Sequence, residues 1–474
     1  MDMRTLEELT AGYPDPVDVA AADVRAAAGR DAEPIFIVLD DDPTGTQSVA
    51  DLPVLTRWQP EDLAWAFEQG KPAIYVMTNS RSLAPEDAEQ INKDVAAAAY
   101  AAAEQRGIRV AFVSRSDSTL RGHFPLEPYT LADMAAQHGQ DTDGIVIVPA
   151  FGDAGRITVG GVHYAGGAGG YTPVGETEFA QDATFGFASS NLAEWVEEKT
   201  GGDVPADRVL HLDLATVRAG ADAIAAALAG VADRQPVTVD IVTEEDLRLL
   251  SLGLIKAEES GKTFIYRVGP PFVRARIGQE IPEPLTAQAV AESRTTEPTV
   301  PGGLIVVGSH VPTTTRQLGA LLDAELAEVV ELDVARALDE GDSYLDSLAK
   351  TVQEKLAGGN VVVHTSRTLI TGADKQESLA IARRVSQAVV DVVNATAHAL
   401  TPRFVIAKGG ITSSDVASKG LEMGHATVIG PMQPGIISLW RLDDGPAAGV
   451  PYIVFAGNVG NDKSLVEVTA TLSK

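Results

Sequence analysis

The chain reads as an α/β protein of two domains, each a mostly parallel sheet flanked by helices, with the active site expected in the cleft between them. Three observations predict this. Short apolar runs alternate with helical patterns through both halves, and that alternation builds parallel sheets covered on both faces. The runs end again and again in polar or glycine-rich loops, as strands do on the edge where open sheets bind ligands. The chain has 474 residues, more than one ordinary core accommodates. The expected division is a first domain over residues 1–281, a linker over 282–302 that is rich in Pro, Thr and Glu, and a second domain over 303–474.

Composition removes several function classes. A net charge of −29 disfavours nucleic acid and anionic membrane as partners. Any anionic substrate must then be held by local cations against the overall field. Cysteine is absent, which excludes disulfides, thiolate chemistry and Cys-ligated zinc. No apolar run approaches the ~18 residues of a membrane span. Residues 1–30 are acidic and Ala-rich without an apolar signal region, so a cytoplasmic location is expected.

Residues 35–47 organise the first half. Ile35 to Leu39 form an apolar run that leads into Asp40, Asp41 and Asp42, the pattern of a buried parallel strand. Pro43 ends the ladder, and Gly45 suggests a tight turn. Adjacent carboxylates repel one another, so their clustering points to a site that grips hydroxyls or a cation. Further strands are expected at Ala73 to Thr78, Ile108 to Val113 and Gly144 to Val148, with a helix from Pro85 to about Arg106. Their loops carry Asn79-Ser80-Arg81-Ser82 and Ser116-Asp117-Ser118-Thr119-Leu120-Arg121-Gly122-His123. Residues 152–190 hold many glycines and read as a long loop, in which His163 has no partner at ligand spacing and is read as structural. Val209 to Asp213, Val237 to Val242 and Thr263 to Val268 complete the strands of this half.

The second half repeats the alternation, with strands expected at Leu304 to Val307, Val329 to Leu332, Val361 to His364, Phe404 to Ala407, Ile436 to Trp440 and Tyr452 to Phe455. Its loops differ in kind: Gly308-Ser309-His310, Lys408-Gly409-Gly410-Ile411-Thr412-Ser413-Ser414-Asp415 and Gly457-Asn458-Val459-Gly460-Asn461-Asp462-Lys463-Ser464. Glycine lets successive backbone N–H groups face an anion, and a following helix adds its dipole. Three such loops in one domain suggest a polyphosphate cradle. The Gly457 loop narrowly misses a P-loop, with Asp462 where the pattern needs its second glycine.

Taken together, Asp41-Asp42-Pro43-Thr44-Gly45-Thr46, Asp117-Ser118-Thr119-Leu120-Arg121-Gly122, Gly308-Ser309, Gly409-Gly410-Ile411-Thr412 and Gly457-Asn458 resemble the four-carbon acid sugar kinase family, from about residue 35 to the end of the chain. The resemblance implies a sugar-acid domain followed by an ATP domain. It implies phosphorylation of the terminal hydroxyl of acids such as threonate, erythronate or 3-oxo-tetronate. Substrate positions fall on Asp41, Asp42, Thr44, Asp117, Ser118, Thr119 and Arg121, and ATP positions on Ser309, Gly409, Gly410, Ile411, Thr412 and Gly457. Two residues depart from the family pattern: Asp40, where a small residue is usual, and Val311, where a second serine is common.

Elementary chemistry assigns roles within that frame. Asp41 or Asp42 would accept the proton of the attacking hydroxyl. Arg81 or Arg121 would clamp the substrate carboxylate. Lys408 would place a charge near the γ-phosphate, and Mg²⁺ would bridge the phosphates, with no protein metal ligands assigned. The two domains would close about a hinge near 282–302. A homodimer is the expected assembly, since two-fold dimers are commonest. Two other functions fit parts of the pattern. A metal-dependent sugar-acid aldolase or isomerase would not need three glycine loops, and a non-catalytic sugar-acid sensor would bind ATP without releasing ADP.

Overall fold

A computed structural model describes residues 3–29, 33–367 and 375–474. It forms two compact units, Met1–Val49 with Arg57–Pro282, and Ala50–Thr56 with Glu283–Lys474. The strands, numbered along the chain, are β1 (Ile35–Asp40), β2 (Leu52–Leu55), β3 (Ala73–Met77), β4 (Val110–Arg115), β5 (Gly144–Val148), β6 (Arg156–Val159), β7 (Val162–Gly167), β8 (Gly170–Pro173), β9 (Leu210–Leu212), β10 (Gln235–Val239), β11 (Phe264–Val268), β12 (Leu304–Val307), β13 (Glu328–Leu332), β14 (Val361–Thr365), β15 (Val405–Lys408), β16 (His425–Gln433), β17 (Ile437–Leu442) and β18 (Pro451–Phe455).

In the first unit the order β3-β1-β4-β11-β5-β10-β9 is parallel throughout. The chain leaves β1 toward β3 on one side and leaves β4 toward β5 on the other. The crevice where outgoing connections diverge is where such sheets bind ligands, and here it lies at the ends of β1 and β4. β1, β3 and β5 are almost wholly buried, as strands covered on both faces require.

Residues 152–190 depart from the loop expected. β6, β7 and β8 form an antiparallel sheet of their own. The glycines that suggested a loop serve close strand passage instead: a Cβ at Gly155 would overlap the Gly166 carbonyl, and one at Gly166 the Gly170 carbonyl. Composition alone does not separate these two uses of glycine.

The second unit has the order β13-β14-β12-β15-β18-β17-β16-β2. It is parallel from β13 to β18 and antiparallel beyond. The connection from β12 runs to one side and that from β15 to the other, so the divergence point lies between their ends. Two strands were not read from sequence. β16 contains Gly430 and Pro431, and its register with β17 shifts on either side of them, as bulges do. β2 contains Pro53 and comes from the first half of the chain, yet it pairs antiparallel with β16. The segment 282–302 read as a linker belongs mostly to the second unit and carries a helix, Ala287–Ser293, whose Val290 is buried in that unit's core.

Candidate active site

At the end of β1, strand register sets Asp40 opposite Arg115 of β4. Both side chains are buried, and Arg115 pairs with the Asp40 carboxylate. Arg115 also lies 3.2 Å from the Asp41 carboxylate and donates to the Asp42 carbonyl at 2.7 Å. One buried guanidinium therefore ties together all three aspartates. The apolar run ends at Val113, but the strand extends through Arg115, and only that extension brings Arg115 into register with Asp40. Gly45 does not adopt the positive φ that its place in a turn suggested. It is needed for space, because a Cβ there would overlap both the Asp40 carboxylate and the Arg115 guanidinium. Gly45→Ala is expected to lower stability by about 3 kcal/mol, the scale of disturbing a buried ion pair, read as a shift in the urea midpoint.

Asp42 accepts from the Thr44 backbone N–H at 2.9 Å and pairs with Arg81. Arg81 also reaches Asp117 at 3.4 Å and Asp41 at 4.0 Å. Asp117 is further held by Arg121 at 2.8 Å and by the Thr119 hydroxyl. Burial pushes the Asp117 carboxyl up, but Arg81, Arg121 and Thr119 outweigh it and hold it below the usual range. Arg121 lies 3.7 Å from Asp182 of the glycine-rich segment. The two arginines expected to clamp a substrate carboxylate are thus already engaged by protein carboxylates.

Asp41 stands apart. Its side chain is 2% exposed, and neither carboxylate oxygen has a hydrogen-bond donor among the described residues. Burial raises its pKa well above the ordinary value; Arg81 opposes this, while Glu127, Asp42 and Asp117 add to it. A buried carboxylate with free lone pairs and raised basicity is equipped to take a proton. Glu127 was missed by the sequence reading. It is buried and held by the Ser80 hydroxyl, by Ser114 at 3.4 Å and by Asn92 at 3.5 Å.

The Asp117–Gly122 loop is held from several sides. Leu120 is fully buried at φ 69°, a left-handed conformation that costs about 1–2 kcal/mol for such a residue and that its burial helps retain. His163 Nε2 donates to the Ser118 carbonyl at 2.8 Å, and Nδ1 accepts from the Thr158 hydroxyl at 2.9 Å. Burial lowers its pKa to about 4, so it stays neutral and keeps this tautomer. The residue read as structural is so, and what it supports is the Ser118 backbone.

In the second unit the three glycine loops meet at the divergence point. A Cβ at Gly308 would overlap the Thr412 hydroxyl. One at Gly409 would lie 2.8 Å from the same oxygen and 3.3 Å from Ser309 Cβ, and one at Gly457 would lie 2.5 Å from Ser309 Oγ. Ser309 and Thr412 therefore sit where the loops converge, with Gly410 opening the short helix Gly410–Asp415 and Ile411 strongly exposed beside it. Thr314 anchors the Gly457 carbonyl at 2.8 Å. Arg367, not singled out from sequence, donates to the Ser309 carbonyl at 2.7 Å. Asp462, the residue that spoils the P-loop pattern, is exposed and paired with Arg316 at 2.8 Å.

Residues 36–276 match a family model described as a sugar-binding N-terminal domain, and residues 304–465 match one described as a nucleotide-binding C-terminal domain. The chain belongs to the four-carbon acid sugar kinase family. A D-erythronate kinase from Heliobacterium modesticaldum is 27% identical over 419 residues, covering 82% of this chain and 84% of its own. A D-threonate kinase from Salmonella typhimurium is 28% identical over 367 residues, covering 74% and 78%. Solved structures give the same fold. A Salmonella typhimurium LT2 protein superposes with TM-score 0.66 at 19% identity, covering 91% of this chain and 98% of that one. A Haemophilus influenzae protein does so with TM-score 0.60 at 17% identity, covering 92% and 100%.

Within the family's nucleotide-binding domain, Lys408 behaves unlike the phosphate-facing cation expected. It is fully buried, its ammonium donates to the Ala456 carbonyl at 2.6 Å and it lies 3.7 Å from the Phe455 ring centroid. It thus holds the backbone leading into the Gly457 loop. Burial lowers its pKa to about 7, far below the ~10.4 of an unfolded lysine. Between these values the unfolded chain binds the extra proton, so stability rises with pH. The melting temperature of the second unit's transition is expected to climb between about pH 7 and 10, and Lys408→Met should flatten that rise. Among the described residues no three His, Asp or Glu side chains converge as a metal site, and no helix is long and apolar enough to cross a membrane.

Proposed function

We propose that this ATP-dependent kinase transfers the γ-phosphoryl group to the terminal (4-) hydroxyl of a four-carbon acid sugar such as threonate, erythronate or 3-oxo-tetronate. The observation that carries the reading is Asp41: a buried, donor-free carboxylate at the β1/β4 crevice of a family sugar-binding domain. The D-erythronate and D-threonate kinases among its relatives support the substrate class.

In this reading the hydroxyl oxygen attacks the γ-phosphorus as its proton passes to Asp41. The bond from phosphorus to the β–γ bridging oxygen breaks, and ADP leaves. Asp42 and Asp117, fixed by Arg81 and Arg121, accept hydrogen bonds from the other hydroxyls. The Ser309, Gly409–Thr412 and Gly457 loops receive the phosphates through backbone N–H groups and the Ser309 and Thr412 hydroxyls. Mg²⁺ is a hard ion that prefers oxygen ligands and retained water, and it would ride on the phosphates and neutralise charge there.

The test is ADP release with ATP and Mg²⁺ against D- and L-threonate, D- and L-erythronate and 3-oxo-tetronates. One acid is expected to stimulate release at least about tenfold over the ATP-only rate, within the reach of positioning effects. ATP binding without stimulation by any acid would retire this substrate class.

A further inference from the structure

Three arginines at the β1/β4 crevice are paired with protein carboxylates: Arg81 with Asp42 and Asp117, Arg115 with Asp40 and Asp41, and Arg121 with Asp117 and Asp182. Arg156 of β6 and Arg267 of β11 have no such partner among the described residues, and of the two only Arg267 is fully buried. It stands beside Ser114 of β4 in the sheet and is 1% exposed. Its Nη2 donates to the Arg121 carbonyl at 3.1 Å, and its guanidinium lies 5.1 Å from the Trp195 ring. Nε and Nη1 have no hydrogen-bond partner, and no carboxylate among the described residues forms an ion pair with it.

A buried guanidinium with two unmet donors is costly unless an anion completes it. Burial lowers its pKa to about 10, against the pull of Asp117, Asp41 and Glu127, so the group lies within the field of the same carboxylates that form the crevice. The loop whose carbonyl it holds is the one carrying Asp117 and Arg121. The ligand chemistry that fits is an anion such as a carboxylate, which accepts charge-assisted N–H bonds from a guanidinium.

We infer that Arg267, rather than Arg81 or Arg121, receives the carboxylate of the sugar acid and sets the enzyme's preference for acids over uncharged polyols. The inference rests on the kinase reading above. It orders the substrate: carboxylate at Arg267, middle hydroxyls at Asp42 and Asp117, terminal hydroxyl at Asp41.

The experiment compares wild-type enzyme, Arg267→Gln and Arg267→Lys. D-threonate and D-erythronate serve as substrates, and D-threitol and erythritol as uncharged competitive inhibitors. Glutamine keeps a donor for the Arg121 carbonyl and removes the charge. A charge-assisted contact of ~1.5–3 kcal/mol corresponds to a KM for the acid raised roughly 10- to 150-fold in Arg267→Gln, with kcat and polyol inhibition within about twofold. Lysine restores part of the affinity. If the glutamine variant does not fold, the lysine variant carries the same comparison, with KM up about tenfold and polyol inhibition unmoved. An unchanged acid KM, or equal weakening of acid and polyol, would overturn the inference while leaving the kinase standing. Wild-type enzyme that binds ATP but releases no ADP with any acid would instead retire the four-carbon-acid substrate reading on which the inference rests.

Discussion

Asp41→Asn is expected to reduce kcat by about 10³, within the ~10²–10⁴ that a positioned general base contributes, with the sugar-acid KM changed less than about threefold. Asparagine has the same size and still hydrogen-bonds, but it cannot take the proton. Because burial raises the Asp41 pKa and Arg81 only partly offsets that rise, wild-type kcat/KM should climb with pH through a midpoint above the usual carboxylate range. That acid limb should vanish from the residual activity of the variant. Stability should move the other way. A carboxyl whose folded pKa is raised binds a proton more tightly in the native state, so native stability falls as pH rises through the interval between unfolded and folded values. Asparagine removes that penalty, and the variant should melt higher than wild type at neutral pH. A dead but more stable enzyme separates a chemical role from a structural one. Retention of a tenth of the activity would move the base to Asp42, whose carboxylate is committed to Arg81 and the Thr44 backbone.

The sequence revealed residue types at strand ends more readily than their partners. Asp40–Asp42, Asp117 and the three glycine loops were legible because strand periodicity places them, and a parallel sheet brings such ends to one edge. Arg115 was lost through a shift of two residues in one strand, which turned a loop residue into the register partner of Asp40. Arg267 carried a faint signal, a lone charge inside Phe-Ile-Tyr-Arg-Val, and a charge in a buried strand needs a reason. Lys408 misled in the opposite direction. A lysine beside two glycines suggests phosphate, but β15 extends through it and turns its ammonium to the Ala456 carbonyl. β2 was unreadable in principle from local pattern, because its partner β16 lies some 370 residues away, a separation visible in Val54 opposite Ala426.

Gly409→Ala should raise the KM for ATP by about a hundredfold and leave sugar-acid affinity unchanged within about twofold. Gly409 sits at φ 133°, and its added methyl would lie 2.8 Å from the Thr412 hydroxyl and 3.3 Å from Ser309 Cβ. Neither neighbour is the free end of a long side chain, so the loop itself must shift. Binding would then have to restore the cradle against strain of roughly 1–3 kcal/mol, with backbone N–H groups misaligned as well. Equilibrium binding of ATP and of the sugar acid, measured separately, reads both halves of the prediction. Asp462→Gly is the informative control. It completes the P-loop spacing on paper, but Asp462 is exposed and tied to Arg316, so ATP affinity should change by less than about threefold, the modest effect of an exposed ion pair. A large gain from Asp462→Gly together with a silent Gly409→Ala would shift the phosphate site from the Gly409 loop to the Gly457 loop. The expected contrast, one methyl group disabling the nucleotide while a removed charge is tolerated, follows because the Thr412 and Ser309 side chains leave no room at Gly409, whereas Asp462 faces solvent.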